Sequence, residues 1–393
     1  MLPLESSLLG LPRYELLSME GRTLIRIRAR CLSPPECPAC QGQKHWIQDR
    51  FLRSFRHENW GTRRVYLEME ARKFLCRSCG RTFHERFPGL LPRRRYSEAF
   101  RRSVVRSHQE GIPQKVLARQ ERLGQATIER WTHELMEVKL RERESDFCPR
   151  VLGLDEHFFT RKDGYATTLC DLERHRIFDV VLGRSQEDLD PYFRQLLGRA
   201  RVDLVCMDLS GPYRKIARDF FPRAQIVVDR FHAIRLVTRA FRQTWMSVDP
   251  KGLIQRGLRS ILKKHAWNLL PDQAARLQEY FQGQPVVRSL YDFKTWLCRL
   301  LLTKHQTQRQ CRRLIPRLLQ ATRMLQESKF GFLMTLGNTL EDWQQEIARM
   351  WRYTRNNGIT EGFHTKMEMI QRRAYGFRNF ENYRLRVRSL CGG

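Results

Sequence analysis

The 393-residue sequence predicts a multidomain α+β protein. Two Cys-x-x-Cys pairs, Cys37/Cys40 and Cys76/Cys79, bracket strand-like sequence near the N-terminus. Apolar runs of strand length recur between residues 151 and 229, whereas residues 233–355 carry no β-rich run and read as helix. These observations divide the chain into N-terminal strands with a cysteine module (1–92), a helical module (93–147), an α/β segment (148–232), an all-helical segment (233–355), and a final piece (356–393) that returns to the α/β core.

Composition narrows the function class. A hydrophobic fraction of 41% and an aromatic fraction of 10% belong to a folded chain. The formal net charge is +30, and 59 of the 72 basic residues are arginine. Arginine pairs bidentately with phosphate and with guanine edges, so the bias favours a nucleic-acid partner over a membrane surface. No apolar run approaches the roughly 18 residues that span a bilayer. Met1–Leu11 lacks a basic n-region and contains Glu5, so no signal peptide is read there. Eleven cysteines, four of them in two pairs, suit a reducing cytoplasm with one metal site better than a disulfide framework.

Tyr14–Leu17 and Thr23–Ile27 read as strands around Glu20-Gly21. Four thiolates in two knuckles are the ligand set of one structural zinc, and the intervening strands make a zinc ribbon. Thirty-five residues separate Cys40 from Cys76, so the loop between the pairs must carry its own hairpin. His45 and His84 are spare donors, and Cys31 is a bystander.

Residues 97–138 read as three helices. Ser97 is the first N-cap, Gly111-Ile112-Pro113 breaks the first helix, and Leu123-Gly124-Gln125 is a turn. The third helix starts near Ala126, with Ile128, Trp131, Leu135 and Val138 on one face. This is the pattern of a helix-turn-helix, and also of an ordinary three-helix packing unit. In the first case Gln125, Thr127 and Arg130 meet bases or phosphates, and the adjacent Arg93, Arg94, Arg95 and Arg101-Arg102 favour DNA as the partner.

The next elements run strand 151–159, strand 165–171, strand 177–182, helix 186–199 and strand 202–208. A helix near 213–221 and a strand over Gln225–Asp229 follow. Asp155 closes the first apolar run and Asp208 the fourth. This is the ribonuclease-H-like order, in which the first and fourth strands are neighbours and the two aspartates lie side by side. Acids at the ends of buried strands are costly without compensation, and hard divalent cations supply it.

Glu361 opens a later helix. Its direction lies about 150° from the mean of the apolar face Phe363, Met367 and Ile370. Glu368 lies on nearly the same side and is a rival. Two Mg2+ (or Mn2+) ions held by three carboxylates can activate water and stabilise a leaving 3′-oxygen. No Gly-rich phosphate loop is present, so ATP-driven chemistry is not supported. Glu156 projects to the other face of its strand and reads as structural. Asp229 and His232 end the last strand; His232 either orients a scissile phosphate or is a satisfied structural histidine.

Several motifs resemble the bacterial insertion-sequence transposases of the ISL3 family. They are the four cysteines, Val151-Leu152-Gly153-Leu154-Asp155-Glu156, Met207-Asp208-Leu209-Ser210-Gly211-Pro212-Tyr213, Val228-Asp229-Arg230-Phe231-His232, Asn356-Asn357-Gly358-Ile359-Thr360-Glu361-Gly362-Phe363, and Arg372-Arg373-Ala374-Tyr375-Gly376-Phe377-Arg378-Asn379. The resemblance implies that Asp155, Asp208 and Glu361 are a DDE triad. It makes Asp229/His232 similar to the C/DxxH motif of hAT- and Mutator-like relatives, and the helical block an insertion domain before the glutamate. Relatives often have Asn at the position of His364. The resemblance further implies binding of double-stranded DNA at terminal inverted repeats, strand cleavage, strand transfer to target DNA, and a homodimer or larger assembly. Arg372 and Arg373 are further candidate DNA contacts. Trp245, Trp267 and Trp296 could stack on an unpaired base, although core packing is the stronger reading. A non-catalytic, domesticated DNA-binding regulator and a resolvase-type nuclease are the competing functions.

Overall fold

The computed structural model describes residues 10–11, 13–90, 94–142, 147–255, 257–353 and 358–392. Arg93, Asn356, Asn357 and most of the N-terminal segment read for a leader lie outside the described residues. The chain forms two compact units, Met1–Lys139 and Leu140–Gly393.

In the first unit, strands β1 (Tyr14–Glu20), β2 (Leu24–Cys31), β4 (Arg63–Cys76) and β3 (His45–Trp60) lie in that order, with β5 (Thr82–His84) also on β4. β2 pairs parallel with β4, and the other pairings are antiparallel. The hairpin expected between the cysteine pairs is β3–β4, turning at Gly61 (φ 60°). Alternation sets the buried face: Ile25, Ile27 and Ala29 of β2 meet Val65, Leu67, Met69 and Ala71 of β4.

Helices α1 (Glu98–Gln109), α2 (Gln114–Glu121) and α3 (Gln125–Arg141) follow. Ser97 caps α1 by accepting from the Phe100 N–H. Its hydroxyl also lies 2.8 Å from His57 Nδ1 on β3. Arg56, buried on β3, donates to Glu121 of α2 at 2.8 Å and lies 4.7 Å from the Phe100 ring. Phe100, Val104, Val105, Leu117, Ile128 and Trp131 form the helical core. Two expectations shift. The turn falls earlier, with Arg122 left-handed (φ 55°) at the end of α2. Val138 is exposed, because the core contacts of α3 end before it.

In the second unit, the sheet order is β10 (Gln225–Val228), β9 (Leu204–Met207), β6 (Val151–Thr160), β7 (Gly164–Asp171), β8 (Arg176–Leu182). β10–β9 and β9–β6 are parallel, and the rest antiparallel. One face carries α4 (Gln186–Gln195), α5 (Gly211–Phe220) and α6 (Arg230–Val248), through Leu152, Leu154, Leu189, Phe193, Ile216 and Val237. The opposite face carries α13 (Gly358–Arg373) and α14 (Phe380–Cys391), through Cys170, Cys206, Phe363, Met367, Tyr383 and Val387.

Between α6 and α13 come α7 (Leu258–Lys263), α8 (Pro271–Gln282), α9 (Pro285–Leu302), α10 (Gln308–Gln326), α11 (Gly331–Asp342) and α12 (Gln344–Arg352). Arg230 anchors this block to the sheet. Its buried guanidinium donates to the carbonyls of Leu301, Thr303 and Met350, which are unsatisfied groups at or near the ends of α9 and α12. Arg214 of α5 grips α12 through Glu346 at 3.0 Å.

The α1–α3 packing depends on one indole. Trp131 is 1% exposed and donates to the Tyr96 hydroxyl. Trp131→Ala should cost about 3–5 kcal/mol, read as a lower urea midpoint for the full chain by circular dichroism. A shift equivalent to less than ~1 kcal/mol would contradict this packing.

Candidate active site and metal centre

The four sulfurs of Cys37, Cys40, Cys76 and Cys79 all lie within 4.8 Å of one another. Cys37 Sγ is 3.6 Å from Cys79 Sγ, and Cys40 Sγ is 3.5 Å from Cys76 Sγ. A Zn–S bond of about 2.3 Å puts tetrahedral sulfurs about 3.8 Å apart, so the donor set fits zinc. Both knuckles turn through a left-handed residue, Gln41 (φ 58°) and Gly80 (φ 68°). Backbone N–H groups of Cys79 and Ser78 hold the Cys76 thiol down to about 6, against burial. Cys40 is pushed up to about 12: the Gly42 N–H lowers it, and the thiols of Cys79 and Cys76 more than reverse that. His45 instead lies 3.0 Å from the Pro35 carbonyl and packs against Phe74 and Phe83.

The carboxylates are positioned by strand register. Leu154 pairs with Met207, and Met207 with Val228. Asp155, Asp208 and Asp229 each stand one residue beyond those partners, in a row across three adjacent strands. Asp155 pairs with Thr168 of β7. Alternation turns Asp155 and Asp208 to the face covered by α13. On that helix the Thr360 hydroxyl donates to Cys170 Sγ at 3.3 Å, and His364 Nε2 lies 3.2 Å from Thr168 Oγ1. Glu361 stands between these two anchors and is exposed.

Burial, and then Asp208, push Asp155 up to about 7, although His232 pulls the other way. Burial raises Asp208 to about 6, again against His232. One Asp208 oxygen, Oδ1, is buried with no hydrogen-bond partner. His232 Nδ1 lies 3.0 Å from Asp229 Oδ2, outside the angle of a hydrogen bond. Burial lowers the His232 pKa, but Asp229, Asp155 and Asp208 outweigh it and the net shift is upward. An orphaned carboxylate oxygen beside two acids whose pKa values burial raises fits a hard cation. Asp155, Asp208 and Glu361 do not close to a metal-ligand span: among the described residues only the four thiols form such a set within 4.8 Å.

Sequence reasoning missed a hydrogen-bonded chain behind these acids. His157 Nδ1 lies 2.9 Å from Thr168 Oγ1, and its Nε2 lies 2.9 Å from the Tyr383 hydroxyl. Burial holds His157 down at about 3 and His364 at about 4. No sequence signal marks Thr168, which acts through register alone. Glu156 is structural as expected, pairing with Arg184 at 3.1 Å, although its charge also reaches Asp208.

Of the candidate DNA contacts, Arg94, Arg95, Gln125 and Arg130 are exposed, and Thr127 is half-buried. Arg101 is buried against Glu134 at 2.6 Å and is structural. Arg372 pairs with Glu368 at 3.2 Å, and Arg373 is exposed beside it. Trp245 is buried and bonds Tyr280; Trp296 packs in the core. Trp267 is 42% exposed and stacks on His265.

Residues 152–387 match a family model described as transposase, the ISL3 type. The chain belongs to the ISL3 transposase family. Residues 33–79 of this transposase match the zinc-finger of transposase IS204/IS1001/IS1096/IS1165. The transposase for insertion sequence element IS1001 of Bordetella parapertussis is 26% identical, over 98% of this chain and 95% of its own. The transposase for IS1557 of Mycobacterium tuberculosis is 21% identical, over 91% and 86%. No helix among the described residues is long and apolar enough to cross a membrane.

Two outcomes follow for this transposase. Native mass spectrometry should find one zinc per chain, lost in Cys76→Ser together with sheet signal; retained zinc would contradict the four-thiolate site. Unfolded aspartates titrate near ~3.9, so the raised Asp155 and Asp208 values favour the folded state fully only below that pH. This stabilisation is lost as pH rises through about 6 and about 7. In buffer without divalent ions, Asp155→Asn should match wild type at pH ~4 and melt higher at pH ~8. Equal melting temperatures at both pH values would contradict the buried acid.

Proposed function

We propose that this transposase is a DDE enzyme that binds the terminal inverted repeats of its insertion sequence and catalyses Mg-dependent strand cleavage and strand transfer. The observation that carries the reading is the placement of Asp155 and Asp208 side by side, each one residue beyond the last pair of the parallel β6–β9 ladder, with one Asp208 oxygen buried and unpartnered. The order of β6 to β9 supports a ribonuclease-H-like core divided between 148–232 and 356–393, with 233–355 as its helical insertion. The α1–α3 packing supports a helix-turn-helix over 93–147, beside a zinc ribbon within 1–92.

Asp155, Asp208 and Glu361 would hold two Mg2+ ions. Bound there, such ions lower the pKa of a coordinated water and neutralise charge on a leaving 3′-oxygen. The protein's own groups do the rest. Asp155 and Asp208 must give up protons before they can serve as ligands, so activity should rise with pH through their raised values. Asp229 holds His232 beside them and raises its pKa, favouring the protonated ring that would meet a phosphate oxygen. Thr360 and His364 fix the turn of α13 that presents Glu361. Double-stranded DNA is the proposed partner. A homodimer or larger assembly on DNA follows from the need to pair two ends, and the cytoplasm is the proposed compartment. No observation favours the non-catalytic regulator.

Asp155→Asn, Asp208→Asn and Glu361→Gln should each lower Mg-dependent cleavage of cognate ends by at least ~100-fold while DNA binding persists. Undiminished cleavage in any of the three would remove that residue from the triad.

A further inference from the structure

The 34 residues between Asp292 and Glu327 contain no acid and eight cations. Five of those cations, Arg309, Arg312, Arg313, Arg317 and Arg323, lie on α10 and are exposed. At 100° per residue they span an arc of about 140°, directly opposite the buried face of Cys311, Leu318, Thr322 and Leu325. Among the described residues, none of the five has an acidic partner. Several exposed arginines elsewhere do, among them Arg26 with Glu68, Arg30 with Glu15, Arg150 with Asp203 and Arg194 with Asp190, while others such as Arg28 and Arg119 have none among the described residues.

The arrangement works against the helix that carries it. Arg309/Arg313 and Arg313/Arg317 are like-charge pairs at i,i+4. Arg309, Arg312 and Arg313 also sit in the first turns, where the macrodipole opposes cations. The capping box uses Gln310 rather than a glutamate, so the cap adds no compensating charge. The exposed Arg352 side chain adds a cation near Cys311.

We propose that the arginine stripe of α10 is a docking surface for the sugar-phosphate backbone of duplex DNA. From Arg309 to Arg323 the stripe runs about 21 Å along the helix. Duplex DNA carries one negative charge per ~1.7 Å of axis, so several guanidiniums can meet phosphates at once, each able to bind bidentately. Contacts of this kind carry position, not sequence. The inference rests on the reading that the transposase acts directly on DNA.

The test uses the full chain and a fluorescent duplex of arbitrary sequence, with binding measured by anisotropy across a salt series. Each phosphate contact contributes about 0.9 to the slope of log affinity against log salt. The quadruple variant Arg309→Gln, Arg312→Gln, Arg313→Gln, Arg317→Gln should lower that slope by about 2–4 and melt at the same or a higher temperature. A control losing the same charge at Arg26, Arg30, Arg150 and Arg194 should change the slope by less than ~1. A slope equal to wild type, or a loss no larger than the control's, overturns the α10 surface while leaving DNA binding intact. Absence of salt-dependent binding by the wild type overturns both readings.

Discussion

The parallel pairing of β6 with β9 is the constraint on which the second unit depends. It places two aspartates side by side, each one residue beyond the last β6–β9 pair, where apolar neighbours strip them of water. Burial of this kind disfavours ionised carboxylates, and the protein supplies too few donors to offset it. The remaining architecture brings compensation within reach. β10 adds Asp229 to the row, and the first turn of α6 returns His232 toward it. Arg230, next in sequence to Asp229, ties the same strand end to the ends of α9 and α12. The helical block is therefore locked to the strand end that carries Asp229 through a buried cation and carbonyl groups.

The other side of the sheet is held differently. Two histidines kept neutral by burial, one threonine and one tyrosine link β6 and β7 to α13 and α14. Neutral rings can both donate and accept, so this chain adds no charge behind the acids. It fixes α13 at the turn that presents Glu361. Glu368 lies about 10 Å further along the helix and is paired with Arg372 in solvent.

Much of this was legible in the sequence. Asp155 and Asp208 are marked by the apolar runs they close, and Ser97 by the helix it caps. The four thiols are marked by their spacing. The length of β3 was not legible, because residues 46–52 are exposed on both faces and show no alternation. α14 was missed for a related reason. Leu385, Val387 and Ser389 alternate with arginine like a strand, while the helix buries Tyr383, Val387 and Cys391 at four-residue spacing. Thr168 could not be found without register, since only pairing places it opposite Asp155.

The central claim is that the β6 and β9 carboxylates form a divalent-cation site. Mn2+ binding followed by electron paramagnetic resonance tests it most directly, on the full chain with its zinc retained. The account predicts bound Mn2+ in the wild type that grows as pH rises from about 5 to about 8, as Asp155 and Asp208 ionise, and that is lost in Asp208→Asn. Equal Mn2+ binding by wild type and Asp208→Asn would contradict it.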